Sequence, residues 1–191
     1  MNILDTINQF KRIKRTGLVD TLKGARAPEA GTPVVSADVL RKKLLEIDGG
    51  VSYPLEVVEA KGGKDGDLLA RWCVRDAHWW SSFRAAHTNS VTEIHMVLDE
   101  EKHEVRGKDD IVLVKWNGNV PKVGGFSTKK PEFQNQGARQ AVAHGPDPLN
   151  PKNERQYFLD TNELKELIGE TITRAGWSYR QVYRKKTLAG E

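Results

Sequence analysis

The feature that most restricts this chain is an alternation of apolar and polar residues, in segments joined by turns too short to carry a crossover. Leu68, Ala70, Trp72 and Val74 fall at every second position, as do Ile94, Met96 and Leu98. A period of two sends successive side chains to opposite faces of a strand, so these segments read as strands with one buried face. Parallel neighbours need a connection of about a dozen residues or more. The breaks at 61–66 and 99–102 are much shorter. The pattern therefore predicts hairpins and a mainly antiparallel sheet.

Helical periods flank this region. Ser36 is placed to cap a helix over about 37–47 that carries Val39, Leu40, Leu44 and Ile47 and stops at Gly49-Gly50. Asp76 can cap a short helix with Trp79, Trp80 and Phe83. Towards the end, Leu164, Leu167, Ile168, Ile172 and Ala175 line one face of an amphipathic helix opened by Asp160 or Thr161 and stopped by Gly176. Trp177, Tyr179, Gln181 and Tyr183 then alternate as a last strand. Ile111–Val114 reads as a central strand covered on both faces, with a break expected at Gly107. Within 117–154, rich in Gly, Pro, Asn and Lys, only 138–143 suggests a strand, and 157–159 reads as a strand ending. The expected class is α+β, a mainly antiparallel sheet with flanking helices.

Ile3, Leu4, Ile7, Phe10 and Ile13 draw an apolar stripe on an N-terminal helix over 1–15. Residues 16–35, dominated by Gly, Ala, Pro and Thr, read as a flexible linker; 36–185 form the core domain and 186–191 a disordered tail. The whole chain, 191 residues with 38% hydrophobic and 29% charged content, can bury a core without cross-links. Cys73 is the sole cysteine, which excludes an intrachain disulfide and thiolate zinc sites of the finger type. The chain has no apolar run of membrane-spanning length and no signal-peptide pattern, so a cytoplasmic location is expected, with peripheral membrane contact open to the N-terminal helix.

The candidate chemistry is sparse. Cys73 with His78 lacks any feature that would activate a thiol, and structural burial is the expectation. His87, His95 and His103 are evenly spaced, but a turn centred on Glu100 and Glu101 sets His95 opposite Arg106 and His103 opposite Leu98, on different faces. Gly62-Gly63-Lys64 leads into a strand rather than a helix and reads as a hairpin turn rather than a phosphate loop. Asp99-Glu100-Glu101 and Asp109-Asp110 read as solvated turn carboxylates. No catalytic, cofactor-binding or metal residues are expected.

The formal charge is +4, with basic runs at 11–15, 41–43 and 184–186. The first favours a binding or accessory protein whose N-terminal helix docks on a protein partner or an anionic surface through Ile3, Ile7, Phe10, Lys11, Arg12, Lys14 and Arg15. An alternative is a single-stranded nucleic-acid binder that stacks bases on Trp177 and Tyr179 and holds phosphates with Arg71 and Arg75. In that reading Arg71, Cys73 and Arg75 share one strand face, and Trp177, Tyr179 and Tyr183 another, although core packing beneath the C-terminal helix is the first expectation for the aromatics. A further alternative is an enzyme with its site in the 117–154 loops.

The runs Asp67-Leu68-Leu69-Ala70-Arg71-Trp72, Val74-Arg75-Asp76-Ala77-His78-Trp79 and Leu98-Asp99-Glu100-Glu101-Lys102-His103-Glu104-Val105-Arg106 resemble a group of small uncharacterised bacterial proteins. Asp160-Thr161-Asn162-Glu163-Leu164-Lys165 through Ala175-Gly176-Trp177-Ser178-Tyr179-Arg180 is also similar to that group. The resemblance spans roughly 37–183, departs around 122–151, and implies a bacterial origin and one domain; it carries over no site residues.

Overall fold

The computed structural model describes residues 24–47, 54–62, 65–85, 87–126, 140–147, 150–159, 161–183 and 188. In chain order the elements are β1 (Ala25–Arg26), α1 (Ala37–Leu45), β2 (Leu55–Glu59), β3 (Leu68–Trp72), a 3-10 turn (Ala77–Trp79) running into α2 (Trp80–Ala85), β4 (Ser90–Asp99) and β5 (Glu104–Asn117). They continue with β6 (Val120–Phe126), β7 (Gln140–Asp147), β8 (Asn150–Leu159), α3 (Thr161–Arg174) and β9 (Ser178–Gln181). This is an α+β fold: a seven-stranded sheet in the order β1-β9-β5-β4-β3-β2, with β6 also on β5, and a separate β7–β8 hairpin. Every pairing is antiparallel except β5 with β9. Among the described residues no helix is long and apolar enough to cross a membrane.

The caps expected at Ser36 and Asp76 are present. The Ser36 hydroxyl accepts from the Val39 amide, and the Asp76 carboxylate accepts from the His78 amide. Helix α3 buries Leu164, Leu167, Ile168 and Ile172 on one stripe. Its interior also holds Gly169, Thr171 and Thr173, residue types that cost a few tenths to about 1 kcal/mol each in a helix. Burying each aliphatic side chain is worth about 1.5–3 kcal/mol. Packing, rather than intrinsic propensity, therefore holds α3.

Strand β5 departs most from expectation. Gly107 does not break it, because the missing side chain makes room for a neighbour: a Cβ there would lie 2.6 Å from Cε2 of Tyr179, whose ring crosses from β9. The apolar run is not covered on both faces throughout either. Val112 and Val114 are buried while Ile111 and Leu113 are half-buried and Lys115 is exposed. At the start of the strand the core face is that of Val105 and Gly107; beyond Asp110 it is the opposite face, that of Val112 and Val114. At this second end the loop between α2 and β4 holds the strand: the Trp116 indole N–H donates to the Thr88 carbonyl at 2.7 Å and the Val114 amide donates to the Asn89 carbonyl at 2.8 Å.

The 117–154 segment holds more strand than its composition suggests. Asn117 pairs with Val120 across a two-residue turn in which Gly118 has φ +61, the conformation a type II′ hairpin needs at its first central position. The register then shifts at Gly124-Gly125 on β6, a bulge.

From Gly24 onward, the stretch read as linker is tied down. The Gln181 amide donates to the Gly24 carbonyl, β1 pairs with β9, and the Arg26 side chain lies over Gly169 on α3 with its guanidinium donating to the Glu166 carbonyl at 3.4 Å. The Val35 amide donates to the Ala175 carbonyl, and the Trp177 indole N–H donates back to the Val35 carbonyl at 2.8 Å. Backbone polar groups paired in this way hold a segment that has little apolar surface of its own. Residues 1–23, which include the expected N-terminal helix, lie outside the described residues; of the expected tail, Leu188 is described and is buried.

Two substitutions test this packing. Gly176 ends α3 at φ +79, and a Cβ there would lie 2.6 Å from the Pro33 carbonyl oxygen. Gly176→Ala is therefore expected to lower unfolding free energy by about 2 kcal/mol in urea titration, through backbone strain and a displaced strap. Gly107→Ala is expected to cost roughly as much, because the Tyr179 ring is fixed in the core. The Tyr179 hydroxyl is buried without a hydrogen-bond partner among the described residues. Tyr179→Phe is thus expected to stabilise the protein by about 1 kcal/mol and to soften the Gly107→Ala defect.

Candidate functional site

The outward face of the sheet is a connected array of charges. By alternation it carries Glu56 on β2, Arg71 on β3, Glu93, His95 and Asp99 on β4, Glu104, Arg106, Lys108 and Asp110 on β5, and Arg180 on β9. Glu93, Arg106 and Lys108 are only 5%, 6% and 7% exposed. Ions so far from water need partners. Arg71 donates to Glu56 at 2.7 Å, Arg75 reaches Glu93 at 2.7 Å, and Lys108 pairs with Asp110. Arg106 and Lys102 share Asp99 at 3.5 and 3.0 Å, and Arg180 grips Glu104 through two hydrogen bonds of 2.9 and 2.8 Å.

His95 sits in the middle of this array. Its Nδ1 lies 2.8 Å from the Asp65 carbonyl, which can only accept, so the proton resides on Nδ1. Nε2 is buried and lies 3.5 Å from an Asp110 carboxylate oxygen, beyond the distance of a good hydrogen bond. The contact ties the β2–β3 turn to β5 across β4. Among the described residues no group of three or more His, Cys, Asp or Glu is arranged to hold a metal ion.

A second cluster lies where β5, β9 and α3 meet. Asp109 pairs with Lys165 of α3 and accepts from the side-chain Nε2 of Gln181 at 3.0 Å. Burial, and secondarily the Asp109 charge, pushes the Tyr179 phenol well above its ordinary range. Asp109 and Asp110, expected as solvated turn residues, are thus mid-strand and half-buried; the turn lies earlier, at 100–103.

The residues singled out for nucleic acid are not brought together as a binding surface. Trp177 is 0% exposed and Tyr179 5% exposed, so neither ring has a face for a base, whereas Tyr183 lies beyond β9 and is 63% exposed. Strand β3 ends at Trp72, so Cys73 and Arg75 do not continue the face of Arg71; Cys73 is buried. Both arginines are engaged by carboxylates. His78 packs edge-on against Trp79, and His103 edge-on against Trp177. The Gly62 turn closes the β2–β3 hairpin.

The charged array could have been found by extending the alternation test to the polar positions. Glu93 and His95 recur at spacing two, as do Arg106, Lys108 and Asp110. The correct register also needed a four-residue loop, with Asp99 opposite Glu104. His95 therefore faces Lys108 rather than Arg106. His103 closes the loop in the left-handed region at φ +46.

Comparison with protein-family models, with curated proteins and with solved structures finds no match to this chain.

The array predicts an acid-sensitive fold. A hydrogen bond from Lys102, with Arg106 behind it, holds the Asp99 carboxyl below its ordinary range despite the opposing effect of burial. Its stabilising contribution is complete above the ordinary aspartate value and is lost as pH falls through the lowered folded value. Asp99→Asn should therefore be less stable than the parent chain at neutral pH. The gap should close below about pH 4 when unfolding free energy is measured across pH.

Proposed function

We propose that this chain is a non-catalytic binding or accessory protein that engages a protein partner through its apolar, basic-flanked N-terminal segment. The observation that carries the reading is the anchorage of Gly24 and β1 on β9, which fixes the root of residues 1–23 at one edge of the sheet. A segment with Ile3, Ile7 and Phe10 on one stripe and Lys11, Arg12, Lys14 and Arg15 behind it suits an apolar groove with an acidic rim. The charged sheet face supports the same division of labour, because its cations are occupied by carboxylates of the same chain. The lone cysteine suits a reducing, cytoplasmic setting.

Ile7→Asp with Phe10→Asp, made in the full chain, should abolish co-purification of a defined partner and leave unfolding free energy within about 0.5 kcal/mol of the parent. A deletion used for the same purpose must stop before Gly24, since removing Ala25 and Arg26 would also strip β1 from β9. Unchanged co-purification would refute the reading. Binding only to vesicles containing phosphatidylserine would replace the protein partner with an anionic surface.

A further inference from the structure

The sheet opposes like charges at several places, as with Arg106 and Arg180 or Glu93 and Asp110, and there each residue also meets an opposite charge; the β5–β6 hairpin opposes two lysines without one among the described residues. Lys115 and Lys122 are directly opposite in register, and both are exposed. Side chains so placed have Cβ atoms about 5 Å apart, and like charges there destabilise the pair. Neither lysine has a carboxylate partner among the described residues. The hairpin cannot turn them away from each other, because its other face is committed: Val114 is buried and Trp116 and Val123 pack against the core. On the body of the sheet, by contrast, Arg71, Arg75, Lys108 and Arg180 each meet a carboxylate.

From this contrast we infer that the Lys115–Lys122 face of the β5–β6 hairpin is a docking surface for an extended acidic segment of a protein partner. An extended peptide with carboxylates at alternate positions spaces them about 7 Å apart. Two ammonium groups on flexible stems rooted about 5 Å apart can meet such a pair. The same face offers Asn117, which can donate and accept, and Val120, which is 52% exposed. Pro121 has no amide hydrogen and blunts the outer edge of β6 against strand addition, so contact falls to the face. Two lysines neutralise too few phosphates for a nucleic-acid footprint, and Trp116, the hairpin's aromatic ring with a described environment, lies on the opposite face and packs against the core. Its residues are distinct from those proposed for the N-terminal segment, so the two docking proposals are tested independently.

The test uses the full chain and a fluorescein-labelled peptide of alternating glutamate and threonine, followed by anisotropy at about 50 mM salt, where screening is modest. Lys115→Glu and Lys122→Glu each create an opposite-charge cross-strand pair, so each variant should melt no lower than the parent. Each should bind the peptide about tenfold more weakly, since one ion pair becomes a repulsion. Lys42→Glu with Lys43→Glu, on the exposed side of α1, should leave affinity unchanged within about twofold. Equal losses in the α1 control, or no peptide binding by the parent, would overturn the inference. So would binding of oligothymidine or phosphatidylserine vesicles in preference to the peptide, through the same lysines.

Discussion

The fold depends on one strand being buried on opposite faces at its two ends. Side chains of β5 alternate strictly, so Val105 and Gly107 can meet the core formed with α1 and α3 only if Arg106 and Lys108 turn the other way. Val112 and Val114 lie on that same other face, and they are buried too. The charged residues therefore adjoin a packed region on their own side of the sheet, which accounts for the near-complete burial of Arg106 and Lys108. Having lost water there, they need the carboxylates of Asp99 and Asp110. The ion-pair array follows from the double duty of β5.

This pairing also redistributes the charge available to other molecules. The formal excess of +4 is modest, and the sheet body cancels most of its own share within the array. Cations without a carboxylate partner among the described residues stand at the periphery, as with Lys42 and Lys43 on α1 and the opposed lysines of the β5–β6 hairpin. Long-range attraction for an acidic partner would thus come from the margins of the fold rather than its broad face.

Much of the architecture was legible because local chemistry and tertiary demand agree. Ser36, Asp76 and Gly176 each end or begin a helix where their side chains or φ values permit, and the stripe of α3 is the buried one. The failures occur where a residue answers to a distant neighbour. Gly107 looks like a breaker until the Tyr179 ring is placed on it, and Gly118-Asn119 is overlooked when composition alone is read between 117 and 154. For Trp177 and Tyr179 the structure bears out core packing over the alternative of a stacking platform: a carbonyl from Val35 and the backbone of Gly107 close over them. The array around His95 was hidden by a two-residue error in loop length, which preserved every facing and changed every partner.

The strap formed by residues 24–35 has a consequence for how the protein is made. Its hydrogen bonds run to residues 166–181, some 140 positions later along the chain, and β9 joins β5 only after α3 has folded back. A ribosome would release the strap and everything before it long before its binding site exists. Through most of translation the N-terminal segment would therefore emerge on an open tether, available to chaperones. It acquires a fixed root only when the last strand is synthesised.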